Sequence, residues 1–198
     1  MTSTCTRLLG IALALGSAAL LSMAAAKKEV VASIYKQADE VGNKSWKDLC
    51  KQGETIAKTH ELLDIMHMMK LRNAPGNTKG VGIGPKPDAI EPDGIDAKIT
   101  RMGSKIMEPG VLSKEQPDLI RMAQITAAIA SVSVHQCTVD KKMGDQNPAD
   151  WKKWMEDMHR SSLELIEALK KKDPRAVQKS ASDLRTSCTD CHRVFRDQ

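Results

Sequence analysis

Asp173-Pro174-Arg175-Ala176-Val177-Gln178-Lys179-Ser180-Ala181-Ser182-Asp183-Leu184-Arg185-Thr186-Ser187-Cys188-Thr189-Asp190-Cys191-His192-Arg193-Val194-Phe195 is the stretch from which the fold can be read. Val177, Ser180, Leu184, Cys188, Cys191 and Phe195 recur at steps of three and four, which places them on one face of a helix. Asp173 and Pro174 give that helix its start, a capping carboxylate followed by a residue suited to the first turn. The two cysteines therefore face the same way as the core residues before them. Cys188 and Cys191 are three apart and His192 follows directly, the pattern to which haem is attached covalently. Each thiol can take one vinyl group as a thioether, and the histidine can offer an axial nitrogen to the iron. A thiol redox pair or half a zinc site would use the same two cysteines. The first calls for a neighbouring strand pattern and the second for two more ligands, and the chain offers neither signal.

The same spacing recurs upstream. Trp151, Met155, Met158, Ser162, Leu165 and Leu169 form an unbroken stripe, opened by Asn147 as N-cap and Pro148. Leu119, Met122, Thr126, Ile129 and Ser133 mark a third helix, with Ile125 and Val132 widening its face and Ser113-x-x-Gln116 as a capping box ahead of it. A fourth is expected from Trp46 to Lys70, with Leu49, Ile56, His60, Leu63 and His67 on one face. Shorter helices are expected at 94–107 and 28–41. Between them, residues 73–93 hold Pro75, Gly76, Gly80, Gly82, Gly84, Pro85, Pro87 and Pro92. A loop of that length inside a compact domain is often functional, and covering a haem edge is the role expected here, beside that of a plain connection. The fold class expected is all-α, an up-down four-helix bundle with an extra short helix and a Gly/Pro-rich loop after the first main helix. Few aromatics fit this: Tyr35, Trp46, Trp151, Trp154 and Phe195 stand against eleven methionines.

The N-terminus reads as a secretory signal. Arg7 precedes the apolar run Leu8 to Leu21, and Ser22-Met23-Ala24-Ala25-Ala26 offers an exit site before Lys27-Lys28. The run is shorter than the ~20 residues a membrane-spanning helix needs, and Cys5 precedes it, so neither a span nor a lipid anchor is indicated. Cleavage after Ala26 makes residues 1–26 the signal and 27–198 a single haem-binding domain, exported and, in a bacterium, periplasmic. The formal charge of +5 is too mild to argue for nucleic acid, and the lysines lack interleaved aromatics for base stacking. No paired carboxylates or Ser-His-Asp order suggest an enzyme.

From residue 113 onward the chain resembles the cytochrome c prime and cytochrome c-556 group: a helical bundle whose last helix carries Cys188-Thr189-Asp190-Cys191-His192-Arg193-Val194-Phe195-Arg196, with the terminal Phe-Arg pair. Residues 27–112 depart from the group in their leading segment and long insert. The resemblance implies one covalent haem c per chain on Cys188 and Cys191, with His192 as proximal ligand. It also implies that the first main helix supplies the residue on the other iron face. A methionine there implies a six-coordinate electron carrier working with redox partner proteins. An apolar residue implies an open iron that binds a small gas such as NO or CO. The resemblance also allows a homodimer.

His60, Met66, His67, Met68 and Met69 are the candidates for that distal position. A helix begun at Trp46 puts Met66 ~30 Å along its axis, past the level of the haem motif, where His60 or Ile56 would stand. The methionine cluster running into the glycine-rich stretch favours Met66 nonetheless. Arg196 is a candidate partner for a haem propionate. Cys50 and Cys137 fall near adjoining helix ends, and an oxidising compartment would favour their pairing as a disulfide. His135 and His159 are expected at the surface or at caps, and Asp190 and Arg193 in solvent. The function expected is an exported mono-haem electron carrier, with gas binding by five-coordinate haem as the alternative.

Overall fold

The computed structural model describes residues 28–76 and 78–195, which form seven helices and no strand. They are α1 (28–38), α2 (Trp46–Thr59), α3 (Leu62–His67), α4 (Ile95–Ser104), α5 (Pro109–Ser133), α6 (Pro148–Lys170) and α7 (Pro174–Phe195). The all-α reading holds. The expected signal at residues 1–26 and Arg196 lie outside the described residues.

Three long helices pack in sequence order: α5 on α6, and α6 on α7. Their ends show that they run antiparallel. Gln116, near the start of α5, donates through Nε2 to Leu169 O at the end of α6, 2.7 Å. Gln146, just before α6, donates to Val194 O at the end of α7, 3.3 Å. The expected α6 stripe from Trp151 to Leu169 is buried throughout, and the Asn147 side chain accepts from Ala149 N. At the start of α7, Asp173 Oδ1 accepts from the N–H groups of Arg175 and Ala176. The capping box at Ser113 does not form. The helix starts earlier, at Pro109, and Gln116 uses its amide on α6 instead. From Leu119 to Ser133, α5 buries alanines and serines as well as its expected stripe, because α2 covers one side and α6 another.

The expected first main helix breaks. His60 leaves α2 in extended conformation (φ −133°, ψ 143°) and α3 begins at Leu62. Gln136 stabilises the break from beyond α5, donating through Nε2 to His60 O at 2.7 Å and so occupying a carbonyl that the helix end leaves without an intrahelical partner. The buried residues around α3 are consequently Ile65, Met68 and Met69, whereas Leu63 is 61% exposed.

Short α4 packs on α7. Ile95, Ile99 and Met102 are buried, and Gly103 lies flush against the Ser182 backbone, where a Cβ would meet it at 2.9 Å. Buried Lys98 ties α4 to α5 through Glu115, 2.6 Å, and to the loop through Glu91 O, 2.9 Å. The loop itself closes around Asp93. Burial opposes the charge of Asp93, but the Arg72 guanidinium and the N–H groups of Ile83 and Asp88 outweigh it and hold the carboxyl below its usual pKa range.

Gly53 sets the approach of α2 to α5. A Cβ there would overlap the Ser131 carbonyl, backbone against backbone. Gly53→Ala is expected to destabilise the fold by about 1–3 kcal/mol through overpacking, measured by chemical denaturation against the unaltered protein.

Candidate functional site

The outer end of the α6–α7 pair opens into an apolar cleft of about 240 Å³. Trp151, Met155 and Met158 of α6 line it, with Cys188, Cys191, His192 and Phe195 of α7. Leu62 and Met66 of α3, Met69 and Lys70 from the turn after it, Asp96 of α4 and Thr138 of the connection after α5 complete the wall. The helical spacing of α6 produces this layout. Residues 151, 155 and 158 sit on one face, and the antiparallel run brings that face opposite the last turns of α7.

Aromatic contacts fix the base of the cleft. Phe195 meets the Trp151 ring edge to face, with centroids 5.0 Å apart and planes at 79°, and meets Trp154 at 6.0 Å and 80°. Such T-shaped pairs suit the ring quadrupoles. The Trp151 indole N–H donates to Ser133 O at 2.9 Å, so α5, α6 and α7 are joined at one level.

Cys191 is buried and Cys188 half-buried. Burial pushes the Cys188 thiol up to about 12, and the Asp96 carboxylate adds to the effect. Burial likewise pushes Cys191 up to about 12, with Cys188 and Cys137 adding to it. At neutral pH both are thiols rather than thiolates. His192 is exposed at the same end. It lines both the cleft and an adjoining concavity that contains Arg185 and Thr189. Asp190 and Arg193 pair with each other in solvent at 3.2 Å. Among the described residues no group of three or more His, Cys, Asp and Glu is arranged to hold a metal ion.

This donor set suits haem. Two thiols one helical turn apart and the next imidazole line a cleft walled by thioethers, indole and phenyl, the surroundings a flat apolar macrocycle needs. Of the five distal candidates, Met66 and Met69 line the cleft. His60, His67 and Met68 do not. The break at His60 is what brings Met66 there, because the chain turns instead of carrying Met66 on along a straight helix.

Residues 135–196 match the family model described as Cytochrome C'. No curated protein and no solved structure matches the chain. The Cytochrome C' match covers α6, α7 and the connection before them, a shorter span than the 113–198 of the sequence resemblance, and bears that resemblance out over its length. It takes in every α6 and α7 residue of the cleft and none from α3 or α4. Cytochrome C' is a family of c-type haem proteins, so haem is the cofactor the match implies.

Several expectations change. None of the described residues of the 73–93 loop lines the cleft. α3 and the turn after it take that position. Cys50 and Cys137 are free thiols rather than a disulfide, and burial pushes Cys50 up to about 11, with Glu156 adding to it. His135 is exposed, as expected, its Nε2 2.9 Å from Cys50 O. His159 is not at the surface. It is 6% exposed and tilted against Trp46 at 4.6 Å. Lys70, Asp96 and Thr138 were missed. Lys70 closes the methionine cluster and could have been suspected, whereas Asp96 and Thr138 carry no local signal.

Burial holds the His159 pKa below the ordinary range, against a smaller opposing effect of the Ala127 carbonyl. A depressed histidine leaves stability intact above its unfolded pKa of about 6.5 and removes it as the pH falls below that value, because the unfolded chain takes the proton first. Thermal melts at successive pH values should therefore lose midpoint as the pH drops below about 6.5. His159→Gln should flatten that dependence.

Proposed function

We propose that the chain is an exported c-type cytochrome carrying single electrons between redox partner proteins. In this reading Cys188 and Cys191 would hold one haem covalently, and His192 and Met66 would offer its iron an imidazole nitrogen and a thioether. The observation that carries it is the shared cleft: Met66 lines the same cleft as both thiols and His192, and no described histidine besides His192 does so. Bound haem supplies a reversible one-electron iron couple. The chain's own residues supply the rest. Trp151, Phe195, Met155 and Met158 exclude water, which limits what must reorient when the charge changes. His192 on a long helix and Met66 in the cleft would hold fixed positions, and a thioether together with an imidazole on the iron would raise its potential. The ammonium of Lys70, on the cleft lining, would meet a haem propionate, the role expected from the sequence for Arg196. Export rests on Arg7, the apolar run and Ala24-Ala25-Ala26. Among the described residues no helix is long and apolar enough to cross a membrane.

Covalent attachment is tested by haem staining after denaturing electrophoresis. The unaltered chain should stain, and the double variant Cys188→Ala/Cys191→Ala should not. Ligation is tested by ferric and ferrous absorption spectra with and without carbon monoxide. A low-spin spectrum indifferent to carbon monoxide is expected, with Met66→Ala becoming high-spin, reactive to carbon monoxide and lower in potential. An unaltered protein that already binds carbon monoxide would favour the five-coordinate, gas-binding reading, for which the apolar side chain of Leu62 beside Met66 is the supporting feature.

A further inference from the structure

Met66 sits on a helix of only six residues, anchored in the core by Ile65. Its N-cap Glu61 makes no side-chain hydrogen bond to the helix, and α5 is its main helical neighbour. Further restraint comes from the residues that follow. Val81 N–H donates to Met68 O at 3.2 Å, Asp96 N–H to Met69 O at 2.9 Å and Gly80 N–H to Leu71 O at 2.9 Å. Arg72 N–H donates to Asp93 O at 2.9 Å. At the centre of these ties the Arg72 guanidinium pairs with Asp93, Nε to Oδ2 at 2.7 Å, and donates through Nη2 to Gly84 O at 2.7 Å. Asp93 Oδ1 accepts from Ile83 N–H at 2.7 Å, and Asp93 is 7% exposed. Gly82 has φ +70°, and a Cβ there would overlap the guanidinium, so the loop is shaped to receive arginine.

We propose that Arg72 and Asp93 are a positioning pair for Met66, an inference that rests on the reading of Met66 as axial ligand. Asp93 lies just before α4, and α4 packs on α7, which carries Cys188, Cys191 and His192. The pair thus ties the segment bearing the distal side chain to the helix bearing the proximal one. Neither residue lines the cleft, so both act through Met66. Asparagine at 93 keeps an acceptor for Ile83 N–H and loses the charge that holds Arg72. Lysine at 72 keeps the charge and loses the fork that reaches Asp93 and Gly84 together.

The test uses holoprotein from a haem-attaching host and compares Met66→Ala, Asp93→Asn, Arg72→Lys and the double variant Met66→Ala/Asp93→Asn. Spin state, carbon monoxide association with the ferrous protein and helicity are measured for each. Asp93→Asn should keep its helicity, gain a high-spin fraction and bind carbon monoxide about tenfold faster, a weakening of roughly 1.4 kcal/mol at the ligand. Arg72→Lys should move in the same direction. In the Met66→Ala background, Asp93→Asn should add nothing, because no ligand remains to be positioned. A loss of melting temperature with spin state and association rate unchanged would reduce the pair to a structural staple and overturn the proposal. So would an equal acceleration in both backgrounds. If Asp93→Asn yields no holoprotein, Arg72→Lys is judged by the same criteria. A Met66→Ala protein indistinguishable from the unaltered one would overturn the ligand reading itself, and it would do so with the pair intact.

Discussion

The cleft depends on one contact: the edge-to-face meeting of Phe195 with Trp151 where antiparallel α6 and α7 bring their outer ends together. It closes the outer end of two helices that bury facing stripes along their length, and there the methionine face of α6 stands opposite the last turns of α7. It is also tied to α5 through the Trp151 indole N–H. Aromatic packing, thiol orientation and the floor of the cleft therefore share one geometry. A shift of one helix along the other would separate the cysteines from the wall that shelters them.

Around this pair, helix ends are closed by partners distant in sequence. Gln116, Gln136 and Gln146 each donate a side-chain amide to terminal carbonyls of another helix: α6, α2 and α7 respectively. A neutral amide suits the task, since it satisfies an orphaned carbonyl without bringing a charge into a half-buried position. These amides also orient the connections. Gln136 holds the chain at the point where α2 stops, and the direction of α3 follows from that.

The last two helices were legible in the sequence because their instructions are local. Asn147-Pro148 and Asp173-Pro174 start them, an uninterrupted stripe defines the buried face, and Cys188, Cys191 and His192 lie on or beside that stripe. The first half was less legible, because what shapes it is tertiary. Residues 46–70 keep a helical period, yet the helix ends at Thr59. The carbonyl left open at His60 is satisfied by a residue 76 positions away. The same limit applies to Asp96 and Thr138, which reach the cleft through the placement of α4 and of the α5–α6 connection. His159 sits on a stripe-adjoining face where Trp46, from another helix, covers it. Cys50 and Cys137 were brought together only as helix ends, a resolution too coarse to decide whether two sulfur atoms meet.

The break at His60 gives the molecule a modular character. The thiols and His192 belong to one long helix, α7, packed on α6 and α4, whereas Met66 is carried by the short α3. Local opening of such a unit takes less free energy than global unfolding, so the two walls of one cleft differ in persistence. A lineage could lengthen, shorten or recompose this unit and so change what faces the thiols and His192, while the α6–α7 framework beneath it stayed as it was.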